Sequence, residues 1–220
     1  MPPILTERLA LVSLSAGALQ DLLAGRAAAA ERRSRVRLPE SFARRAQRLL
    51  EVRLADVQRD PGARAWLLRL VALRDEHPRT VVGLIGFHGR PDASGRVEIG
   101  YEIFTPFRRH GYATEAVRGL LAWASRRHRV RTFVAAIGPE NEASMRLARR
   151  MGFRQVGVQV DESDGLELAY ELEWPRRRRS GDGSNAPAAL MTPRGSCRMS
   201  RALRQPDSAR SALGPERRRI

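Results

Sequence analysis

Lysine is missing from this sequence of 220 residues, and all 40 of its lysine and arginine positions are arginine. Cysteine occurs only once. Without a lysine amine, the chain cannot form the phosphate-binding lysine of a P-loop, a Schiff base with pyridoxal phosphate or the strand lysine of a kinase. The single cysteine, Cys197, excludes an intrachain disulfide and a cysteine-based zinc site. These absences remove several classes of enzyme.

Long apolar runs are also missing, and none approaches the ~18 residues that a membrane helix needs. The apolar stretch 9–23 is interrupted by Gln20 and Asp21 and preceded by Glu7, which argues against a signal peptide. The four histidines are scattered without the spacing of metal ligands, so we expect no bound metal. We therefore expect a soluble, cytoplasmic protein.

The composition changes sharply after Trp174. Residues 175–220 contain 12 arginines against 3 acidic residues, so they carry a net charge of +9 out of the formal +16, and they contain no aromatic residue. Such a segment cannot bury enough apolar surface to offset its conformational entropy. We predict one folded domain over residues 1–174 and a disordered, arginine-rich tail over residues 175–220. Because no aromatic residues are interleaved to stack on bases, we favour a solvated extension over a nucleic-acid-binding tail.

Hydrophobic periodicity predicts alternating strands and helices over the first 174 residues. Helices are expected over 15–23, 39–57, 112–127 and 141–151, and strands over 8–14, 66–74, 81–87, 97–104, 132–137, 153–160 and 166–174. Along the strand 97–104, Glu98 and Glu102 share one face with Gly100 and Phe104, and Val97, Ile99, Tyr101 and Ile103 share the other. The layout predicts an α+β fold, with a mixed, mostly antiparallel twisted sheet flanked by helices.

The segment between the strand 97–104 and the helix 112–127 has the features of an anion site. A short loop leads to Gly111 at the start of the helix, where unpaired backbone N–H groups and the positive end of the helix dipole face outward. Gly111 lets a bulky phosphate approach the backbone closely, and Arg108 and Arg109 add positive charge. The segment suits a ligand that carries a pyrophosphate, but an ordinary strand–helix turn with solvated arginines would have the same sequence pattern.

Four motifs resemble one known family. Arg108, Gly111 and Ala113 fit the pattern Gln/Arg-x-x-Gly-x-Gly/Ala, which resembles the acetyl-coenzyme A motif of the GNAT superfamily of acetyltransferases. The flanking segments resemble the branch that contains the Rim-type ribosomal-protein alanine N-acetyltransferases. They are Thr6-Glu7-Arg8-Leu9, Glu98-Ile99-Gly100-Tyr101 and Asn141-x-x-Ser144 followed by Met151-Gly152-Phe153. The motifs stand in the family's order and spacing, and the resemblance covers residues 4–174.

The resemblance implies the GNAT fold and acetyl-coenzyme A as co-substrate. In this family the loop at 108–113 binds the pyrophosphate through backbone amides, and pantetheine lies between two splayed parallel strands, here 97–104 and 132–137. The loop residues are Arg108, Arg109, His110, Gly111, Tyr112 and Ala113. A bulge on the first strand is expected to position the acetyl carbonyl. Asn141 would bond pantetheine and Ser144 would lie near the sulfur, although Asn141 could simply cap its helix and Ser144 could be a first-turn residue that satisfies backbone groups.

The sequence leaves the base and the acceptor open. Glu98 or Glu102 could take the proton of the acceptor ammonium, and we favour Glu98 because it belongs to the branch's pattern. The implied activity is transfer of an acetyl group to a primary amine, either a protein N-terminus or a small amine, by direct attack on the thioester. The alternative is a coenzyme A-binding regulatory or RNA-associated module without turnover. The segment 26–40 lies where the family sets acceptor specificity. Because this segment is rich in alanine and arginine, the acceptor of other family members cannot be assigned to this chain by analogy. A monomer and a homodimer are both compatible with the sequence.

Overall fold

The computed structural model describes residues 1–161 and 165–174. Residues 175–220, over which we predict a disordered tail, lie outside the described residues. The helices are α1 (Ala16–Leu23), α2 (Ala27–Ser34), α3 (Phe42–Arg59), α4 (Tyr112–His128) and α5 (Glu142–Met151), with 3-10 turns at Pro61–Ala65 and Thr105–Phe107. The strands are β1 (Ile4–Leu5), β2 (Leu9–Ser13), β3 (Val36–Arg37), β4 (Arg69–Leu73), β5 (Arg79–Phe87), β6 (Arg96–Ile103), β7 (Thr132–Ile137), β8 (Arg154–Asp161) and β9 (Gly165–Glu173). Within this part of the chain, no helix is long and apolar enough to cross a membrane.

The strands of the described residues form one mixed sheet in the order β1-β2-β4-β5-β6-β7-β9-β8, with β3 alongside β5. The β3–β5 and β6–β7 pairs are parallel. The other pairs are antiparallel. This confirms the predicted α+β class. The prediction omitted β1, β3 and α2, because strands of two residues show no periodicity and α2 buries only Ala30.

Helices pack on both faces of the sheet and produce two buried clusters. On one face, α4 contributes Val117 and Leu120 to a cluster that also contains Ile99 and Phe133. On the other face, residues of α1 and α3 such as Leu50 belong to the second cluster. Because alternate residues of a strand point to opposite faces, β6 directs its apolar residues to the α4 side and its glutamates to the α3 side.

The parallel strands β6 and β7 diverge. They pair over only three positions, which are Arg96↔Thr132, Val97↔Phe133 and Glu98↔Val134. Further along, β6 stays with β5 up to Ile103, and β7 stays with β9 up to Ile137. A gap therefore opens between the carboxyl-terminal halves of the two strands, as the resemblance implies. The β5–β6 register runs without a shift from Ile99 to Ile103, so the bulge expected on β6 is absent from this pairing.

Candidate active site

The loop between β6 and α4 has the backbone of an anion-binding turn. Arg109 and Gly111 have positive φ values of 68° and 81°, and His110 between them does not. Alternation in the sign of φ directs successive N–H groups into one concavity that favours an anion. Among the described residues, no side chain caps α4 at Gly111, so the N–H groups of its first turn remain available. These are the features that the sequence predicts for residues 108–113.

The side chains around this loop include one arginine that the sequence reasoning did not place here. Arg8, which precedes β2, donates from Nη1 to the carbonyl oxygen of His110 at 3.1 Å. Its guanidinium carbon lies 4.9 Å from the centre of the Tyr112 ring, on which His110 stacks at 5.6 Å. Arg108 folds back instead, and its Nε donates to the Ile103 carbonyl at 3.0 Å. The available signal for Arg8 was its place in the motif at residues 6–9.

Glu115, in the first turn of α4, joins the segment before β2 to this loop through hydrogen bonds. Its carboxylate accepts hydrogen bonds from Thr6 Oγ1 at 2.6 Å, from the Arg8 backbone N–H at 2.7 Å and from Arg8 Nε at 2.8 Å. Burial alone would raise the pKa of Glu115, but the bonds from Thr6 and Arg8 outweigh burial and lower it. The carboxylate is therefore ionised at neutral pH, and its charge also suits the amino end of the helix.

Two hydroxyl groups meet where β6 and β7 diverge. Tyr101 comes from the half of β6 that no longer pairs with β7, and Ser144 comes from the first turn of α5, which follows β7. The Tyr101 hydroxyl is buried and makes no hydrogen bond of good geometry with the described residues. Burial raises the pKa of Tyr101, and an interaction with the Ser144 side chain partly opposes that increase. Sequence reasoning placed Tyr101 only on an apolar strand face, since alternation cannot show a buried hydroxyl.

Asn141 is the N-cap of α5. Its Oδ1 accepts a hydrogen bond from the Ser144 backbone N–H at 3.1 Å. This bond is the capping role that the sequence left open for Asn141, and it makes Ser144 a residue of the first turn of α5. Asn141 is exposed, so its amide remains accessible.

The two glutamates of β6 have different surroundings. Glu98 lies at the last position that pairs with β7, and its Oε1 is 3.1 Å from Nδ1 of the nearly buried His88. Glu102 lies in the diverging half, 3.7 Å from Nη2 of Arg45 on α3. Burial raises the pKa of Glu102, and the charges of Arg45 and Arg108 partly oppose that increase. The sequence pattern alone did not distinguish these environments.

A cavity of about 260 Å³ lies between the start of α3 and the end of β6. Its lining includes Phe42, Phe104 and Phe107, together with the carboxylate of Glu102. Phe42 and Phe104 meet edge to face, with ring centres 6.4 Å apart. The cavity therefore joins an aromatic wall to one of the two candidate bases.

Comparison with known proteins supports the resemblance. A profile of the Acetyltransferase (GNAT) domain matches residues 8–154. An uncharacterized N-acetyltransferase of Bacillus subtilis (strain 168), YoaA, is 35% identical over 80 residues, which are 36% of this chain and 45% of that protein. A second protein of that strain, the uncharacterized N-acetyltransferase YjdG, is 37% identical over 73 residues, or 33% of this chain and 44% of that protein. The chain thus spans about half the length of the curated relatives it matches.

Solved structures share the fold at low sequence identity. An acetyl transferase of Salmonella typhimurium, which modifies the N-terminal serine of the 50S ribosomal subunit protein L7/L12, superposes with a TM-score of 0.53 at 16% identity, covering 78% of this chain and 97% of its own. The microcin C7 self immunity acetyltransferase MccE, solved with acetyl-CoA and AMP, gives a TM-score of 0.53 at 16% identity, covering 76% of this chain and 94% of its own. The domain profile, the diverging parallel strands and the loop before α4 agree, and the chain belongs to the GNAT acetyltransferase family.

Proposed function

We propose that this chain is an acetyl-coenzyme A-dependent N-acetyltransferase that acts on a primary amine. The observation that carries the proposal is the gap between β6 and β7. The gap borders β6, and β6 leads directly into the loop 108–113 that we assign to the anion. One ligand with an extended arm and a pyrophosphate would occupy both features. MccE, a protein of the same fold, was solved with acetyl-CoA.

The residues present fit this co-substrate. The backbone N–H groups of the loop would hold the pyrophosphate, and the exposed Arg109 would add charge, whereas the charge of Arg8 is already paired with Glu115. A side chain at Gly111 would be strained at φ 81°, and its Cβ would lie 3.4 Å from Arg8 Nη2. The edge of β6 beyond Glu98 no longer pairs with β7, so backbone groups on this edge would bond the pantetheine arm, as would the Asn141 amide, except for the Ile103 carbonyl, which accepts from Arg108. When bound, acetyl-coenzyme A supplies the thioester carbonyl that an amine attacks.

The protein's own residues would manage two protons. An acceptor arrives as an ammonium ion, and Glu102 or Glu98 takes a proton from it directly or through water. The nitrogen lone pair then forms the C–N bond while the C–S bond breaks and its electron pair leaves with sulfur. The nitrogen releases its second proton, which replaces the proton that a hydroxyl group gives to the sulfur. Ser144 and Tyr101 form the pair of hydroxyl groups beside the gap, and they would stabilise or protonate the departing sulfur. The remaining contribution is alignment of the two reactants.

A matched pair of glycine variants tests the proposed co-substrate site. Gly111→Ala adds a methyl group at φ 81° in the loop, and Gly95→Ala adds one at φ 77° in a hairpin loop with nothing within 4 Å. We expect Gly111→Ala to weaken acetyl-coenzyme A binding by tenfold or more, about 1.4 kcal/mol, in calorimetry. Gly95→Ala should leave the affinity unchanged. Equal affinities in the two folded variants would refute the assignment of the loop.

Turnover is measured as coenzyme A released in the presence of primary amines and N-terminal peptides. Release that depends on the acceptor supports the enzyme. Tight binding of acetyl-coenzyme A without release from any acceptor would instead support the alternative of a binding module without turnover.

A further inference from the structure

The cavity on the α3 side of β6 lies on the face of the strand opposite to Tyr101. Tyr101 packs with the cluster on the α4 side, whereas Glu102 faces α3 and lines the cavity. Because consecutive strand residues point to opposite faces, a molecule in the cavity would reach β6 from the side away from Ser144. The cavity is therefore placed to deliver a second reactant.

The lining of this cavity is mainly apolar and aromatic. Phe42, Phe104 and Phe107 provide aromatic surface, and Leu84 adds an aliphatic wall. At about 260 Å³, the cavity is slightly smaller than the roughly 300–1,000 Å³ of sites for drug-sized ligands. It therefore has room for one ring-sized group.

The charges around the cavity suit a single ammonium group. Among the described lining residues, Glu102 is the one carboxylate and Arg45 the one cation. The Arg45 side chain is 48% exposed and its contact with Glu102 is loose, at 3.7 Å, so an incoming ammonium can replace it. The adjacent phenyl rings also favour a cation near their faces. A second ammonium group would find no second carboxylate among the described lining residues, and the charge of Arg45 would repel it.

We infer that this cavity is the acceptor site and that it selects a primary monoamine with an aromatic substituent, its nitrogen at Glu102 and its ring among Phe42, Phe104 and Phe107. The inference rests on the proposed function and specifies its acceptor. Glu102 is then the group that binds the ammonium and takes its proton. Either a free arylalkylamine or a peptide with an aromatic first residue carries this chemistry, and both are tested.

The test compares phenethylamine, putrescine and peptides that begin with Phe or Ser. Binding to the full chain is measured by saturation-transfer NMR, and turnover by coenzyme A release. We expect the catalytic efficiency with the ring-bearing acceptors to exceed that with putrescine, a diamine, by roughly tenfold or more. If the peptide beginning with Phe is preferred over phenethylamine, the source is a peptide N-terminus, and the reverse order assigns a free amine.

Two variants, one at the N-cap of α3 and one within that helix, test whether the amine binds in this cavity. Ser41 lines the cavity and makes no capping hydrogen bond, so Ser41→Leu fills space without removing a cap. Gln47→Leu places the same side chain on the exposed face of α3 and is the matched control. We expect Ser41→Leu to reduce both the saturation transfer to phenethylamine and the catalytic efficiency with it by roughly fivefold or more, within the range of one misfitted group. Gln47→Leu should retain both.

The outcomes separate the two proposals. If putrescine or the peptide beginning with Ser is the better acceptor, or if Ser41→Leu leaves binding of phenethylamine intact, the inference is overturned while the proposed function stands. If the ring amine binds and Ser41→Leu removes the binding, but no acceptor releases coenzyme A, the proposed function fails while the ligand class of the cavity stands.

Discussion

Tyr101 and Glu102 are neighbours in sequence that face opposite sides of one strand. Tyr101 bears a buried hydroxyl, and Glu102 bears a partly buried carboxylate. Burial of such groups costs free energy unless they are paired. Neither group is explained by packing, because Tyr101 has no well-formed hydrogen bond and Glu102 has only a loose ion pair. Both lie where β6 diverges from β7, which is the region to which we assign the chemistry.

The Tyr101 hydroxyl can be tested against a second buried tyrosine. Tyr101→Phe removes a hydroxyl that lacks a well-formed hydrogen bond, and Tyr170→Phe on β9 removes another of the same kind. Neither variant should lose much stability, because no good hydrogen bond is broken. We expect Tyr101→Phe alone to lower kcat, by roughly tenfold or more if the hydroxyl assists proton transfer, with acetyl-coenzyme A affinity within about twofold in calorimetry. Equal rates for the two variants would remove Tyr101 from the mechanism.

Glu102 should show a conflict between stability and activity. Since burial raises its pKa, the ionised carboxylate destabilises the folded state. Glu102→Gln should therefore be more stable than the wild type at neutral pH, and the difference should vanish below about pH 4.3, the ordinary pKa of glutamate. Thermal unfolding at about pH 4 and at neutral pH measures this. A variant that is less stable at neutral pH would show that Arg45 and Arg108 outweigh burial.

The same variant identifies the base when compared with Glu98→Gln. A positioned base contributes ~10²–10⁴-fold, so Glu102→Gln should lower kcat by an amount in that range. The loss should shrink at high pH, where the acceptor amine is already neutral. If Glu98→Gln has that effect and Glu102→Gln does not, the base is Glu98, as the sequence pattern favours.

At the scale of elements, α4 depends on a contact with the segment before β2. Glu115 joins its first turn to Thr6 and Arg8, and Arg8 in turn bonds the loop at His110. The positive φ of Gly111 turns the chain into this helix. The loop between β6 and α4 is thus held from both sides, by β6 at one end and by this contact at the other.

Glu115→Gln should weaken that contact. Hydrogen bonds to charged groups contribute about 1.5–3 kcal/mol, so a loss of this size is expected in denaturant unfolding at neutral pH. Because the folded state lowers the pKa of Glu115, its stabilisation is present above about pH 4.3 and is lost as the pH falls through the folded-state pKa. The difference between wild type and variant should shrink accordingly in acid.

Glu142→Gln is the control for this prediction. Glu142 is also a first-turn glutamate, in α5, but its side chain is 74% exposed and its salt bridge is with Arg146 one turn away. An exposed pair of this kind contributes about 0.5 kcal/mol or less. If the two variants lose equal stability, the contact between Glu115 and the segment before β2 has no special role.

For the whole molecule, the distribution of charge gives a separate prediction. Residues 175–220 carry +9 of the formal +16, which leaves +7 on residues 1–174. A chain shortened after Trp174 should retain its melting temperature and its affinity for acetyl-coenzyme A. It should lose much of its salt-dependent retention on a polyanion, because fewer counterions are released. A large drop in melting temperature would show that these residues pack on the domain.

The sequence by itself determined the longer, strongly periodic elements and the family. The strand predicted over 132–137 is β7, and the helix predicted over 112–127 differs from α4 by one residue. Both have strong periodicity, which local sequence records directly. The role of Gly111 at the start of α4 could also be predicted from the sequence, because glycine adopts backbone conformations that few other residues adopt.

Only the tertiary structure decided which side chains share a site. Arg8 and Glu115 are 107 residues apart, and Tyr101 meets Ser144 only because β6 and β7 are neighbouring strands that separate. The different surroundings of Glu98 and Glu102 likewise arise from β5 and α3, since His88 directly follows β5 and Arg45 belongs to α3. Periodicity describes one element at a time, whereas burial, ion pairs and cavities depend on which elements pack together.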